Sequence, residues 1–306
     1  MGKVTVFGSF IVDLAFRGDR LPVSGETVFG EFTMGPGGKG SNQAVAAKLA
    51  GADVDFITMI GKDIFSDVAL KFYQKIRMNT KYVYRTKESH TGVASIAVEK
   101  IGGQNQIMVA RGAGDKLTEE ILGKSLDAFS GAKVFLTQFE CNFQTTAMAL
   151  TLAKRQFGIQ TILNPAPAMD FDREILSCVD IIIPNETEAS LITKVSLSDK
   201  EFLKKAATKL SKNVKTVIIT LGTKGVYCPS VSRNILPAFK VEAVDTTGAG
   251  DAFCGALAAA LAENQSLETA IRFAQADAAI SVTRPGTAPA LPKRQEVEEF
   301  IKARAI

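Results

Sequence analysis

Six short apolar runs rich in β-branched residues recur along the chain: VTVF (4–7), VDFITMI (54–60), KVFLTQ (133–138), QTILN (160–164), VDIIIPN (179–185) and TVIITLG (216–222). Longer stretches of helical period separate them, with helices expected over 40–50, 63–77, 142–157, 199–211, 249–262 and 266–280. This alternation constrains the fold more than any other feature. Parallel strands need a crossover of about a dozen residues, usually a helix, and a sheet covered on both faces has strands that are apolar nearly throughout. The expected architecture is therefore α/β, a three-layer α/β/α sandwich around a mainly parallel sheet, with all 306 residues in a single domain.

Two stretches depart from the rhythm. Residues 14–36 and 92–111 alternate with period two, as in TGVASIAVEK (91–100) and QNQIMVA (104–110), and the glycines at 102–103 mark a hairpin turn. They read either as a small separate β-sheet, a lid over a ligand site, or as extensions of the main sheet.

Composition narrows the function. Charged residues make up 22% of the chain and the net charge is +4, with no basic stripe interleaved with aromatics, so nucleic acid is not the expected partner. Cys141, Cys178, Cys228 and Cys254 form no CxxC pair, which argues against a zinc site or a disulfide framework and fits a reducing cytoplasm. The lone histidine, His90, limits the chemistry, since His-based triads and His-rich metal sites need imidazoles that the sequence mostly lacks, and it reads as structural. The apolar start, Val4 to Phe16, contains Asp13 and lacks a cleavage pattern, so a buried first strand is expected rather than a signal peptide. Residues 252–262 are too few to span a bilayer, and no membrane association is expected.

Five glycine-bearing or strand-end motifs remain. GPGGKG (35–40) matches G-x-G-x-x-G, but it follows the alternating stretch rather than the first core strand and carries a proline, so it is a poor dinucleotide fingerprint. GxxxxGK followed by Ser or Thr is absent. GGKGSN (37–42) places glycines, Lys39 and Asn42 at a helix start, suited to a small polar ligand such as a sugar. PNETE (184–188) has the spacing of a capping box and also puts polar groups at a strand end, where open α/β sheets bind ligands. TLGTKG (220–225) offers Thr220, Gly222 and Gly225 as a loop around a nucleotide. In VDTTGAGDAF (244–253) a glycine-rich turn opens an alanine-rich helix, whose free N–H groups and dipole attract anions. Asp251 stands in that first turn. Alone it reads equally as a complement to the dipole.

In this order, GGKGSNQAVAAKLAGADVDFITMIGKD, NPAPA, PNETE, TLGTKG and DTTGAGDAF resemble the motifs of the ribokinase (PfkB) family of carbohydrate kinases over essentially the whole chain, most like its ribokinases and deoxyribokinases. The resemblance implies a ribokinase-like fold with a small β lid and ATP-dependent phosphorylation of a pentose 5-hydroxyl. Asp251 would be the catalytic base, and the N–H groups of Gly248, Ala249 and Gly250 an anion hole. Ile11, Asp13, Gly38, Lys39, Asn42 and Glu140 would line the sugar pocket. Asn185 and Glu188 would order Mg²⁺ and phosphates, with Thr220, Gly222, Gly225 and Gln275 around the nucleotide. A monovalent cation, K⁺, would be held by Asp245 and by oxygens of Thr247, Ser281, Arg284 and Gly286, while Ala290 stands where ribokinases often carry a serine ligand. It further implies a homodimer formed through the lid.

Ile11 is the informative departure. Ribokinases carry an asparagine there and deoxyribokinases an apolar residue. An apolar wall beside C2 leaves a hydroxyl unsatisfied, a cost of about 1–3 kcal/mol, and turns the pocket toward 2-deoxyribose. The other reading puts Ile11 in the core and leaves the hydroxyls to Asp13. Beyond ribose and 2-deoxyribose, the alternatives are a kinase for another sugar or a nucleoside, and a non-catalytic sugar-binding regulator.

Overall fold

The computed structural model describes residues 1–100 and 104–304. Seven parallel strands build the main sheet: β1 (Lys3–Phe7), β4 (Asp53–Gly61), β5 (Val83–Thr86), β8 (Val134–Thr137), β9 (Gln160–Leu163), β10 (Ile181–Ile182) and β11 (Thr216–Val217), in the order β11-β10-β9-β8-β1-β4-β5. Their side chains alternate between two separate apolar cores. Val4, Val6, Phe56 and Leu136 pack on one face, and Phe7, Ile57, Phe135 and Leu163 on the other. This is the three-layer arrangement that the apolar runs require.

The alternating stretches form a second sheet of β2 (Ile11–Gly18), β3 (Gly30–Gly37), β6 (Gly92–Glu99) and β7 (Asn105–Ala110), in the order β3-β2-β6-β7. It is separate from the main sheet, and its β2 begins before residue 14. The turn expected at Gly102–Gly103 lies outside the described residues. Ile11, Asp13, Ala15 and Arg17 point to one face of β2, since successive strand residues alternate.

Three expectations need correction. Val4–Phe16 is not one strand: Gly8–Phe10 breaks it, so that β1 and β2 lie in different sheets. TVIITLG splits at Ile218 into β11 and β12 (Ile219–Thr220), and β12 pairs antiparallel with β13 (Val226–Tyr227). The helix expected over 142–157 keeps α geometry only over Phe143–Thr151 and then widens into a π turn at Leu152–Gln156.

Helix starts follow their caps. Asn142, Asn185 and Ser266 each accept an N–H bond from the third residue onward, which satisfies one of the four orphan donors of a helix. The helix Ala249–Ala262 is buried along nearly its whole length, consistent with its run of alanines and absence of a polar face. It begins against the carboxyl ends of the sheet, where the strand-end loops converge.

Candidate active site

Two loops press together beneath the small sheet. Gly38 has φ 87° and a Cβ there would fall 2.7 Å from the Ile11 nitrogen, so this position needs glycine on both counts. The Ser41 N–H donates to the Ser9 carbonyl at 2.8 Å, locking the start of the helix Lys39–Leu49 to the loop after β1. Glu140, beyond β8, accepts from the Lys39 N–H at 2.8 Å and from the Ser9 hydroxyl.

Asp251 is 6% exposed in the first turn of the helix Ala249–Ala262, whose N-cap Gly248 is left-handed with φ 79°. Its Oδ1 accepts from Gln43 Nε2 at 2.9 Å and its Oδ2 from Asn42 Nδ2 at 3.1 Å. Gln43 also donates to Asn164 Oδ1 at 3.1 Å and accepts from Gln138 Nε2 at 2.6 Å, and Asn164 donates to the Ile183 carbonyl. The carboxylate is thereby aimed by a buried network anchored on three strand ends. Asn42 Oδ1 is buried with no hydrogen-bond partner among the described residues.

Charge accumulates around this cluster. The carboxylate of Asp251, followed by those of Glu140 and Glu188, raises the Lys39 ammonium pKa against the opposing effect of burial. Burial raises the carboxyls of Glu140 and Glu188, with Lys39 pulling both back. Asp13 is pushed up to about 6, chiefly by burial, with the Thr287 hydroxyl opposing and the charges of Glu140, Asp251 and Asp245 adding. Thr287 Oγ1 stands 3.0 Å from both Asp13 Oδ2 and the Pro36 carbonyl, so its one proton is contested by two acceptors.

Beside the start of the same helix a cavity of about 440 Å³ opens, lined by Thr220, Gly222, Gly225, Ala249, Gly250 and Gln275. Gln275 donates to the carbonyls of Leu236 and Pro237, which ties the helix Leu267–Ser281 to the cavity wall. Nothing lies within 4 Å of a Cβ placed on Gly250, leaving the helix N-terminus open to an anion. Asn185 and Glu188 form both halves of a capping box, and Asn185 bridges to Thr220. The bland reading of PNETE is thus correct, and it leaves the Glu188 carboxylate at the strand ends. Among the described residues no cluster of three His, Cys, Asp or Glu is suited to a metal. One carboxylate beside an anion site suits Mg²⁺, which is usually held by one or two carboxylates and substrate phosphates while keeping several waters.

Of the oxygens expected for a monovalent cation, the main-chain carbonyls of Thr247, Arg284 and Gly286 accept no hydrogen bond among the described residues, while several side chains of the set are engaged. Asp245 Oδ1 already accepts from the Thr247 N–H at 3.0 Å, and Oδ2 from the Gly286 N–H at 3.1 Å and from Arg17 Nη2 at 3.4 Å. The Ser281 hydroxyl donates to Ala278, Arg284 pairs with Glu296, and Ala290 is buried without a side-chain oxygen.

Ile11 is 2% exposed and packs with Ala94 and Ile96, on the face of β2 that carries Asp13. His90 bonds the Thr91 carbonyl, in keeping with a structural role. Gln138 and Thr287 escape sequence reasoning, as do the cavity walls Phe239, Val241 and Val282; Gln43 and Asn164 stand inside GGKGSNQAVAAK and NPAPA but carry no expected role there.

Residues 1–294 match the model of the pfkB family carbohydrate kinases. The chain is 39% identical to the ribokinase of Haemophilus influenzae over 302 residues, covering 98% of each chain. It is 34% identical to the deoxyribokinase of Salmonella typhi, covering 97% of this chain and 98% of that one. The solved structure of Arabidopsis thaliana ribokinase complexed with ribose and ATP superposes with a TM-score of 0.86 at 30% identity, covering 98% of this chain and 99% of that one. The chain belongs to the PfkB family of carbohydrate kinases, phosphotransferases with an alcohol acceptor.

Proposed function

We propose that the protein transfers the terminal phosphoryl group of ATP to the 5-hydroxyl of ribose or 2-deoxyribose, with Asp251 as base. The observation that carries this reading is the position of Asp251. Its carboxylate is held by Asn42 and Gln43 in the first turn of the helix whose opening residues, Ala249 and Gly250, line the 440 Å³ cavity. Each Asp251 oxygen accepts one amide bond and keeps room to accept the acceptor hydroxyl. As that oxygen attacks, its proton passes to the carboxylate. Phosphoryl transfer has a loose transition state, so position counts for more than basicity.

The N–H groups of Gly248, Ala249 and Gly250 would face the transferring group, where preorganised donors act on developing charge. Thr220, Gly222, Gly225 and Gln275 would hold the nucleotide. Glu188 and Asn185 would hold Mg²⁺, which when bound would supply positive charge against the phosphates. Asp13, Lys39, Asn42, Glu140 and Gly38 would bind the sugar, and the unpaired Asn42 Oδ1 is the kind of acceptor a sugar hydroxyl satisfies. The small sheet would act as a lid that excludes water, so that ATP is not hydrolysed idly.

That sheet's outer face carries exposed Phe16, Phe32, Met34 and Met108, which supports a homodimer formed through it. All four cysteines are free and buried, which suits a cytoplasmic enzyme. Among the described residues no helix is long and apolar enough to cross a membrane.

A coupled ADP-release assay over ribose, 2-deoxyribose, other pentoses, hexoses and nucleosides tests the reading. ADP formation should be fastest with ribose or 2-deoxyribose; NADH-linked turnover without ADP would overturn it. Ile11 shares the β2 face of Asp13, which favours a wall beside C2 over a purely core role. Ile11→Asn should then raise the ribose to 2-deoxyribose ratio of kcat/KM by about tenfold, the worth of roughly 1.4 kcal/mol. An unchanged ratio removes Ile11 from the pocket.

The protonation of Asp13 gives a second expectation. As its carboxyl titrates near 6, the ionised form that accepts a sugar hydroxyl rises with pH. Sugar KM should fall roughly tenfold from about pH 5 to about pH 7 and then level. Asp13→Asn should flatten that dependence; a wild-type KM that does not change over this range would contradict the assignment.

A further inference from the structure

Of the two side-chain amides that hold Asp251, only that of Gln43 has its orientation imposed by further partners. The Ile183 carbonyl, just past β10, can only accept, so Asn164 must present Nδ2 to it, at 2.8 Å. Asn164 Oδ1 then faces Gln43, which must answer with Nε2 at 3.1 Å, and Gln43 Oε1 is left to accept from Gln138 Nε2 at 2.6 Å. Both N–H groups of Gln43 are therefore committed, one to Asn164 and one to Asp251 Oδ1 at 2.9 Å. All three amides are buried, and the cost of this order falls at the far end, where Gln138 Oε1 has no partner among the described residues. Asn42 is different. Its Nδ2 donates to Asp251 Oδ2 at 3.1 Å and its Oδ1 accepts nothing among the described residues, so that one bond alone sets which end of the amide faces the carboxylate.

We propose that Gln43 is a positioning residue for phosphoryl transfer, keeping Asp251 Oδ1 an acceptor throughout so that Oδ2, beside Asn42, receives the proton of the sugar hydroxyl. The hydroxyl oxygen bonds to the terminal phosphorus of ATP, the bond from that phosphorus to the bridging oxygen breaks with its electron pair leaving on ADP, and the hydroxyl proton passes to Oδ2. A protonated Oδ2 needs an acceptor in place of a donor. Asn42 has no other side-chain partner in the protein to lose, and can turn its amide to accept. Gln43 cannot do the same for Oδ1, because turning would set its oxygen against Asn164 Oδ1 and its N–H groups against Gln138 Nε2.

The inference rests on the kinase reading, and its test separates the two. Steady-state rates with ATP and Mg²⁺, calorimetric sugar affinity and melting temperatures are measured for wild type, Gln43→Met, Asn164→Ala and the double variant. Methionine keeps the length of glutamine without its N–H groups. Gln43→Met should lose roughly thirtyfold in kcat, the worth of a hydrogen bond to a charged group, with sugar affinity within about threefold of wild type. Asn164→Ala reaches Asp251 only through Gln43 and should lose roughly threefold, and the double variant should match Gln43→Met within about twofold, since the two residues act as one unit. If Oδ1 took the proton, removing its donor would leave kcat unchanged or raise it. That result overturns the proposal, as do losses that multiply in the double variant, an Asn164→Ala variant with wild-type kcat, or a sugar affinity that falls as far as kcat. One measurement needs no substitution and so holds if a variant fails to fold. In hydrogen exchange of the wild type followed by NMR, both side-chain amide protons of Gln43 should exchange at least about tenfold more slowly than those of Asn42, and equal rates would overturn the fixed orientation. A wild type that forms no ADP would instead sink the kinase reading itself, while the exchange rates still report on Gln43.

Discussion

Asp251→Asn is expected to lower kcat by about a thousandfold or more while sugar affinity stays within a few-fold, because the substitution keeps shape and removes only the proton acceptor. Gln43 and Asn42 hold the native carboxylate through one donor each. An amide in its place can accept one of those bonds through its oxygen but presents N–H to the other, so a modest rotation joins the loss of basicity. Residual turnover would come from the anion hole and positioning, which survive. Steady-state rates together with calorimetric sugar binding separate the outcomes. Full turnover in the variant would remove Asp251 from the chemistry, and lost binding with unchanged kcat would make it a ligand of the sugar only.

Replacing Asp277 should stabilise the protein. Its side chain is fully buried in the helix Leu267–Ser281, and neither carboxylate oxygen has a hydrogen-bond partner among the described residues. Burial lifts its pKa well above the ordinary carboxylate range; Arg284 opposes this and Glu296 adds to it, while those two residues pair with each other. The sign follows from linkage. A carboxyl whose folded-state pKa lies above its unfolded value of about 3.9 does no harm below that pH, and stability is lost as the pH rises toward the folded value. Asp277→Ala should therefore be more stable than wild type by about 1–3 kcal/mol near neutral pH, the usual penalty of an unsatisfied buried polar group. The gap should widen from about pH 5 to about pH 8, since proton linkage makes it pH-dependent. Chemical denaturation at those two pH values checks it. A less stable variant, or a gap independent of pH, would show that the carboxyl is satisfied in solution.

The layered fold was legible because it follows from local pattern. Apolar runs such as VTVF and QTILN can be buried only in a covered parallel sheet, and the period-two stretches only in a half-exposed one. The breaks were harder to read. Gly8–Phe10 and Ile218 redirect strands between sheets without any change in apolar character, so hydropathy joins what the backbone divides.

The site was legible where a motif concentrates it, as in GGKGSN and DTTGAGDAF. It was hidden where long-range packing creates it. Gln43 meets Asp251 across 208 positions and Asn164 across 121. Arg17 and Thr287 find their partners, Asp245 and Asp13, only where the small sheet meets the loops at 245 and 286. Phe239 and Val241 line the 440 Å³ cavity from a segment with neither helical nor strand period.

The most direct test of the account is the identity of the product. Incubation with ATP, Mg²⁺ and ribose or 2-deoxyribose, followed by ³¹P and ¹³C NMR, should show one phosphomonoester on C5 formed in step with ADP. A phosphate on another carbon, or ADP and inorganic phosphate with the sugar unchanged, would contradict it.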